Sequence, residues 1–183
     1  MLAIFGKKKL TDEKVANIIV NTTIESVENG WPEVAGFIND SPEFMRCPKV
    51  DQDDYGKFLM IVIAGNFNYI PKHFDDGHDK EIMKRCIEKF ADVFDITADK
   101  FAGKIKDYRC LMSRVNMPSK NTLYGMSKGV FFKYSLNEFQ DDYFKNMKTP
   151  NPIFLKNLDD VMRYFLWDFE AFNEKFKIIH SEN

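Results

Sequence analysis

The chain has 183 residues, of which 44% are hydrophobic and 30% charged, and its formal net charge at pH 7 is −2. This size and apolar content exclude a disordered chain and predict one domain that buries a core without a metal or a disulfide. Three cysteines without a C-x-x-C pair suggest neither a disulfide framework nor a zinc knuckle, and the near-neutral charge does not imply general nucleic-acid affinity.

The first third of the chain predicts two helices and a loop. Thr11 is expected to cap a helix that Asn29-Gly30 ends, and Trp31-Pro32 then starts a shorter helix. The next apolar run, residues 58–64, fits either a helix or a buried strand, because a short continuous run does not define its own period. We favour a helix, since no other segment offers a clear partner strand.

Apolar residues recur every third or fourth position through the middle of the chain. This spacing predicts helices over residues 79–94, from Thr97 to just before Pro118, and over residues 122–134. Ser135 and Glu138 form a capping-box pattern that opens a further short helix.

The C-terminal segment has the strongest apolar pattern. Asn151-Pro152 is expected to start a long helix that runs to about Ile178 and has apolar stripes on two opposite sides. Such a helix must be covered on both sides, by its own domain or by a second subunit. The second stripe makes Tyr164 and Trp167 candidate partner-binding residues, and Trp167 is expected to be at least half buried.

These elements predict an all-α protein. Residues 1–183 are expected to form a single-domain bundle of about seven to nine helices, with residues 1–10 as a disordered tail and a long C-terminal helix. The longest apolar run cannot span a bilayer, and the start of the chain lacks the order of a secretory signal. We therefore expect a soluble, cytoplasmic protein without a transmembrane segment.

One short segment fits the G-x-S-x-G pattern of serine hydrolases, with Ser127 as the nucleophile. Carboxylates and then a histidine follow it in the order of a catalytic triad, namely Asp159, Asp160 or Asp168 and then His180. However, no series of strands and helices precedes it. We favour a helix in which Ser127 lies on the apolar side, while Gly125 and Gly129 form a notch that lets another backbone come close.

A second candidate site is a run of imidazole and carboxylate side chains, which are ligands for zinc, iron or manganese. The adjacent pair His78-Asp79 resembles the doublet of helical metal-dependent phosphohydrolases, whose other ligands come from separate helices. A polar turn whose carboxylates cap the next helix is the simpler interpretation. The metal candidates are His73, Asp75, His78 and Asp79.

A third candidate is a basic segment over residues 100–133, which contains eight lysines or arginines and one acidic residue. This imbalance is typical of a solvated helix face and also of a surface for an acidic partner or a phosphate. The candidate residues flank the apolar arc of one helix and are Lys100, Lys104, Lys106, Arg109 and Arg114.

The sequence favours a non-enzymatic helical protein that binds another macromolecule, either a protein partner or a second copy of itself. A hydrolase that uses Ser127, or a metal held by residues 73–79, is the alternative from another class. A helical protein with a pocket for an apolar ligand is a further alternative, because aromatic-rich bundles sometimes enclose a cavity. No cofactor is predicted.

Overall fold

The computed structural model describes residues 7–75 and 77–179. The described residues are 71% helical and contain one small sheet, which confirms the prediction of an all-α protein. Its elements are β1 (Lys8–Thr11), α1 (Asp12–Asn39), α2 (Gly56–Phe67), α3 (Ile70–His73), α4 (His78–Val93), α5 (Ala98–Asn116), α6 (Thr122–Lys133), a 3-10 helix (Leu136–Phe139), α7 (Asp142–Met147), α8 (Pro152–Met162), a second 3-10 helix (Arg163–Phe165), α9 (Phe169–Lys175) and β2 (Phe176–Ile179).

The described residues divide into two compact units. The first contains residues 7–22, 66–103 except 76, and 167–179, and the second contains Thr23–Gly65 and Lys104–Leu166. Of the expected disordered tail, residues 1–6 lie outside the described part of the chain, while residues 8–10 belong to β1. None of the described helices is long and apolar enough to cross a membrane.

The core of the first unit is aromatic. The Phe67 and Phe90 ring centroids are 6.2 Å apart, and Phe90 stacks on Phe101 at 5.6 Å. Cys86 lies one turn before Phe90 on α4 and directs its thiol at the carbonyl oxygen of Ala16, with 3.9 Å between sulfur and oxygen. Burial raises the pKa of this thiol to about 12, so Cys86 acts as an apolar packing residue.

The second unit is built around α2 and Trp31. Residues 58–64 are all buried, as expected for a helix that is apolar on every side, which confirms the helical interpretation of this run. The Trp31 ring packs at 5.0 Å from Phe58 and 5.1 Å from Tyr134. Its indole N–H donates to the carbonyl oxygen of Asp51, so the polar atom of this buried side chain is also satisfied.

The predicted helix end at Asn29-Gly30 is wrong, because α1 continues without interruption through Gly30 and Pro32. A Cβ atom at Gly30 would lie 2.8 Å from Cζ of Phe165, so this glycine allows close packing rather than a turn. Pro32 removes one helical hydrogen bond. The neighbouring side chains of Trp31 and Val34, both buried, hold the helix together across it.

The predicted capping box at Ser135 is also wrong. Ser135 adopts a left-handed conformation with φ of 54° and makes no capping hydrogen bond. Asp141 instead caps α7, with its carboxylate accepting from the backbone N–H groups of Tyr143 and Phe144. The segment therefore forms a 3-10 helix and a separate short α-helix.

The long C-terminal helix is not present. Beyond α8 the N–H of Trp167 donates to Oδ1 of Asn66 at 2.8 Å, and Asp168 accepts from the N–H of Ala171 at 2.9 Å and starts α9. These side-chain acceptors replace the hydrogen bonds that a continuous helix would need. The second apolar stripe is divided among several elements. Trp167 is more than half buried, as expected, whereas Tyr164 is 85% exposed.

The small sheet joins two segments that are distant in sequence. Strand β1 pairs in parallel with β2, with Lys8 opposite Phe176 and Thr11 opposite Ile179. Helix α1 begins at Asp12, directly after β1. The pairing therefore brings the start of α1 to the C-terminal strand of the first unit.

Candidate functional site

In the second unit, helices α5 and α6 form a hairpin with closely spaced backbones. A Cβ atom at Gly125 would lie 3.3 Å from Nδ2 of Asn116 and 3.5 Å from the carbonyl oxygen of Met112. At Gly129 it would lie 3.3 Å from Cγ of Met112. Asn116 and Met112 are one turn apart on α5, as Gly125 and Gly129 are on α6. The two glycines therefore form the notch that the sequence predicted.

The hairpin carries a strong positive charge. Residues 104–133, here called the basic hairpin, contain seven lysines or arginines and one acidic residue, Asp107. Lys104, Lys106 and Arg114 are exposed and form no salt bridge within the described part of the chain. At 100° per residue, Lys104 and Lys106 lie about 160° apart around α5, and Arg114 lies between them, about 80° from each.

Tyrosine rings hold three lysine side chains of the second unit in place. The Lys133 ammonium nitrogen lies 4.1 Å from the centroid of Tyr108, which continues the α5–α6 contact by one more turn. The corresponding distance is 4.4 Å for Lys128 over Tyr124, and Lys57 lies 5.4 Å from Tyr134. Cation–π contacts of this kind orient an ammonium group without neutralising its charge.

Carboxylates border the basic hairpin at two points. Burial raises the pKa of the Tyr108 hydroxyl, and the nearby carboxylate of Asp54 raises it further. Burial lowers the pKa of Lys128, and the carboxylate of Asp159 opposes that change. The positive surface is therefore limited on the Tyr108 side by Asp54 and on the Lys128 side by Asp159.

Ser127 is fully buried in α6, and its hydroxyl donates to Oδ1 of Asp159. The Ser127 oxygen is also 3.4 Å from the carbonyl oxygen of Leu123, and no imidazole is among its hydrogen-bond partners in the described residues. Asp168 belongs to the first unit, where it caps α9, and His180 lies outside the described residues. The arrangement around Ser127 is that of a buried packing serine with a satisfied hydroxyl.

The histidine and carboxylate run lies at the end of α3 and the start of α4. The Nδ1 atom of His78 is 2.6 Å from Oδ1 of Asp12, whose side chain is 1% exposed, and the His73 ring stacks on Phe169 with centroids 5.0 Å apart. Asp75 is exposed and Asp79 lies in the first turn of α4. Within residues 7–75 and 77–179, no three His, Cys, Asp or Glu side chains form a group that could hold a metal ion.

The remaining candidate residues are divided between the units. Lys100 is exposed in the first turn of α5 and belongs to the first unit, as does Trp167, whose ring is 4.8 Å from Phe169. Arg109 is half buried in the second unit, and Tyr164 projects from the second 3-10 helix of that unit. The sequence therefore grouped side chains that belong to different compact units.

The sequence analysis did not single out Asp12, Tyr108 or Lys133. Asp12 is 66 positions from its partner His78, so no local pattern could reveal the pair. The Tyr108–Lys133 contact could have been found by extending the glycine notch by one turn, since both residues continue the contacting rows of α5 and α6. The spacing of the contacting residues along α5 and α6 was therefore more informative than the number of charged residues in the segment.

Comparison of the chain with known protein families, curated proteins and solved structures gives no match. No relative therefore supplies a function or a set of site residues. The functional interpretation depends on the geometry and charge of the side chains described above.

Proposed function

We propose that this protein binds an acidic segment of a partner protein through the basic hairpin. The observation that carries this proposal is the set of exposed side chains of Lys104, Lys106 and Arg114, which form no salt bridge among the described residues. Unpaired surface charges of one sign attract a partner of the opposite sign and accelerate its association.

The borders of the hairpin favour an acidic protein over a nucleic acid. A nucleic acid is a continuous polyanion, with one charge for about every 1.7 Å of duplex length, and it would bring phosphates against Asp54 and Asp159. A polypeptide can place its carboxylates at intervals and present neutral residues to these positions. The net charge of −2 also opposes binding of a long polyanion.

The proposal is tested with a short fluorescent peptide of Glu-Gly-Ser repeats, whose carboxylates are separated by neutral residues, and with two double variants of equal charge change. Lys104→Glu with Arg114→Glu reverses two charges of the hairpin, and the matched control Lys84→Glu with Lys156→Glu reverses two exposed lysines elsewhere. We expect fluorescence anisotropy to show binding by the wild type and the control, and a loss of about ten-fold or more in the hairpin variant. Affinity should fall as salt is raised, because exposed charges are screened.

Two results would overturn this proposal. One is equal affinity of the hairpin variant and the control, which would show that net charge rather than the hairpin determines binding. The other is tighter binding of single-stranded RNA than of the Glu-Gly-Ser peptide, which would assign the surface to nucleic acid. Sedimentation without ligand shows whether the acidic partner is a second copy of the chain.

A further inference from the structure

A pocket of about 330 Å³ in the first unit lies beside strand β2. Three consecutive strand residues, Phe176, Lys177 and Ile178, form one wall. The other lining residues are 73–75, at the end of α3 and just after it, His78 at the start of α4, and Asn173 of α9. The pocket is therefore lined both by strand β2 and by the segment that contains His73 and His78.

The pocket follows the outer edge of β2. Side chains of a strand alternate between faces, so lining by three residues in succession indicates that the pocket follows the backbone. None of its described lining residues comes from β1, which occupies the other edge of β2. Alternate residues of a parallel strand direct their N–H and C=O groups away from the paired neighbour. Such an edge is a template for another strand.

The sheet beside this pocket is basic. Lys9 of β1 lies directly opposite Lys177 of β2, and both side chains are exposed. Like charges opposite each other weaken a sheet, and an isolated two-stranded sheet is itself only marginally stable. The eight strand residues contain three lysines and no acid, and Lys7 just before β1 is also exposed. A carboxylate beside Lys177 would relieve this repulsion.

Side-chain hydrogen bonds hold the other lining residues of the pocket in place. The buried carboxylate of Asp12 binds Nδ1 of His78, and the side-chain amide of Asn173 donates to the carbonyl oxygen of His73 at 2.9 Å. The Lys7 ammonium donates to the backbone carbonyl of Asn173 at 2.7 Å. The width of the pocket is therefore set before any ligand arrives, which lowers the free energy that binding must supply for ordering.

We propose that an extended, acidic segment of a partner polypeptide adds to the outer edge of β2 as a third strand. Its backbone pairs with β2, and an acidic side chain opposite Lys177 lies on the same face as Lys9 and Lys177. The exposed Asp75, which also lines the pocket, disfavours a further acid beside it. This proposal concerns a different unit from the basic hairpin and does not depend on it.

The test uses a fluorescent, end-blocked heptapeptide of alternating valine and glutamate. A second peptide has the same side chains but an N-methyl group on every amide, which removes all of its backbone hydrogen-bond donors. We expect the first peptide to bind and the second to lose binding. We also expect Lys177→Glu to weaken binding by about ten-fold or more, while the matched exposed control Lys84→Glu leaves it unchanged. Hydrogen exchange should show new protection of the β2 amides.

Equal binding of the two peptides would overturn the proposal, because charge alone would then explain the affinity. Failure of the alternating peptide to bind would also overturn it. If Lys177→Glu does not fold, Lys9→Glu on the neighbouring strand provides the same charge test. The double variant Lys104→Glu with Arg114→Glu should bind this peptide as the wild type does, so failure of this proposal and failure of the hairpin proposal are distinguishable.

Discussion

Both units expose lysines, but the backbones that carry those lysines differ. The lysines of the basic hairpin project from helices, whose interior N–H and C=O groups are already bonded within the helix. In the first unit, Lys9 and Lys177 project from strands, and β2 pairs on one edge only in the described residues. A helical surface attracts a partner through charge alone. A strand edge also selects a partner whose backbone is extended. We expect the hairpin to accept varied acidic sequences and the β2 edge to accept only extended ones.

The two surfaces also differ in what maintains their shape. The basic hairpin depends on close helix packing at Gly125 and Gly129, whereas the pocket beside β2 depends on the hydrogen-bonded pair of Asp12 and His78. Replacing a packing residue and replacing a polar partner should therefore damage different units. The four substitutions below test this difference.

The largest effect is expected for Asp12→Ala. The variant leaves the His78 imidazole, which is 13% exposed, without its buried carboxylate. Loss of one partner of a buried pair costs about 3 kcal/mol or more in the free energy of unfolding. Glu13→Ala is the matched control, because Glu13 is also in the first turn of α1 but is exposed. Urea denaturation should show a change within about 0.5 kcal/mol for the control, and similar losses for both variants would contradict the role of the pair.

The next largest effect is expected for Gly125→Leu. The new side chain would project into the Asn116 side chain and the Met112 backbone, and overpacking of this kind costs about 1 to 3 kcal/mol. Gly103→Leu on α5 is the control, because no atom lies within 4 Å of its added Cβ and leucine favours a helix over glycine. Thermal unfolding should show a lower Tm for the first variant and an unchanged or higher Tm for the second. The opposite order would show that α5 and α6 do not approach at this position.

A smaller effect is expected for Ser127→Ala. It removes the hydroxyl that donates to Asp159, but that carboxylate is partly exposed, so water can replace the lost donor. The expected loss is about 1 kcal/mol or less. Because Ser127 is fully buried, labelling with a fluorophosphonate should be absent in the wild type and in this variant. Labelling of the wild type at Ser127 would restore the hydrolase interpretation.

The smallest effect is a pH dependence at Asp159. Burial raises the pKa of this carboxyl above 3.8, and the hydrogen bond from Ser127 partly opposes the change. Between its unfolded and folded pKa values the folded state binds more protons, so the contribution of Asp159 to stability is full at low pH and decreases as pH rises. Asp159→Asn removes this term. The unfolding free energy of Asp159→Asn minus that of the wild type should therefore increase as pH rises. A difference that does not change with pH would contradict the effect of burial on the Asp159 pKa.

The sequence predicted those features that depend on neighbouring residues. The period of α5 and α6 and the notch at Gly125 and Gly129 could be recognised because each is a pattern within one helix. The continuity of α1 through Gly30 could not, since it depends on packing against Phe165, more than one hundred positions away. The intrinsic helix propensity of a residue is a weak indicator of where a helix ends when tertiary packing stabilises the helix at that point.

Most of the features that the sequence missed depend on distant partners, whereas the cap assigned to Ser135 instead of Asp141 was a local error. The prediction of a long C-terminal helix was wrong because the side-chain oxygen of Asn66 accepts a hydrogen bond from the backbone N–H of Trp167. These two residues are 101 positions apart in the sequence. Strands β1 and β2 pair near opposite ends of the described chain, and each has four residues, too few for a clear alternating pattern. The pocket beside β2 follows from that pairing, so it could not be predicted either.

Backbone amide chemical shifts, recorded during a titration with the Glu-Gly-Ser peptide, would locate the surface that binds the acidic segment. We expect perturbations concentrated on residues 104–133 of the basic hairpin, with the largest changes beside Lys104, Lys106 and Arg114. These changes should disappear when the two hairpin charges are reversed. Perturbations spread evenly over all exposed lysines, or none at a millimolar concentration of glutamate residues, would contradict the assignment of this surface as the binding site.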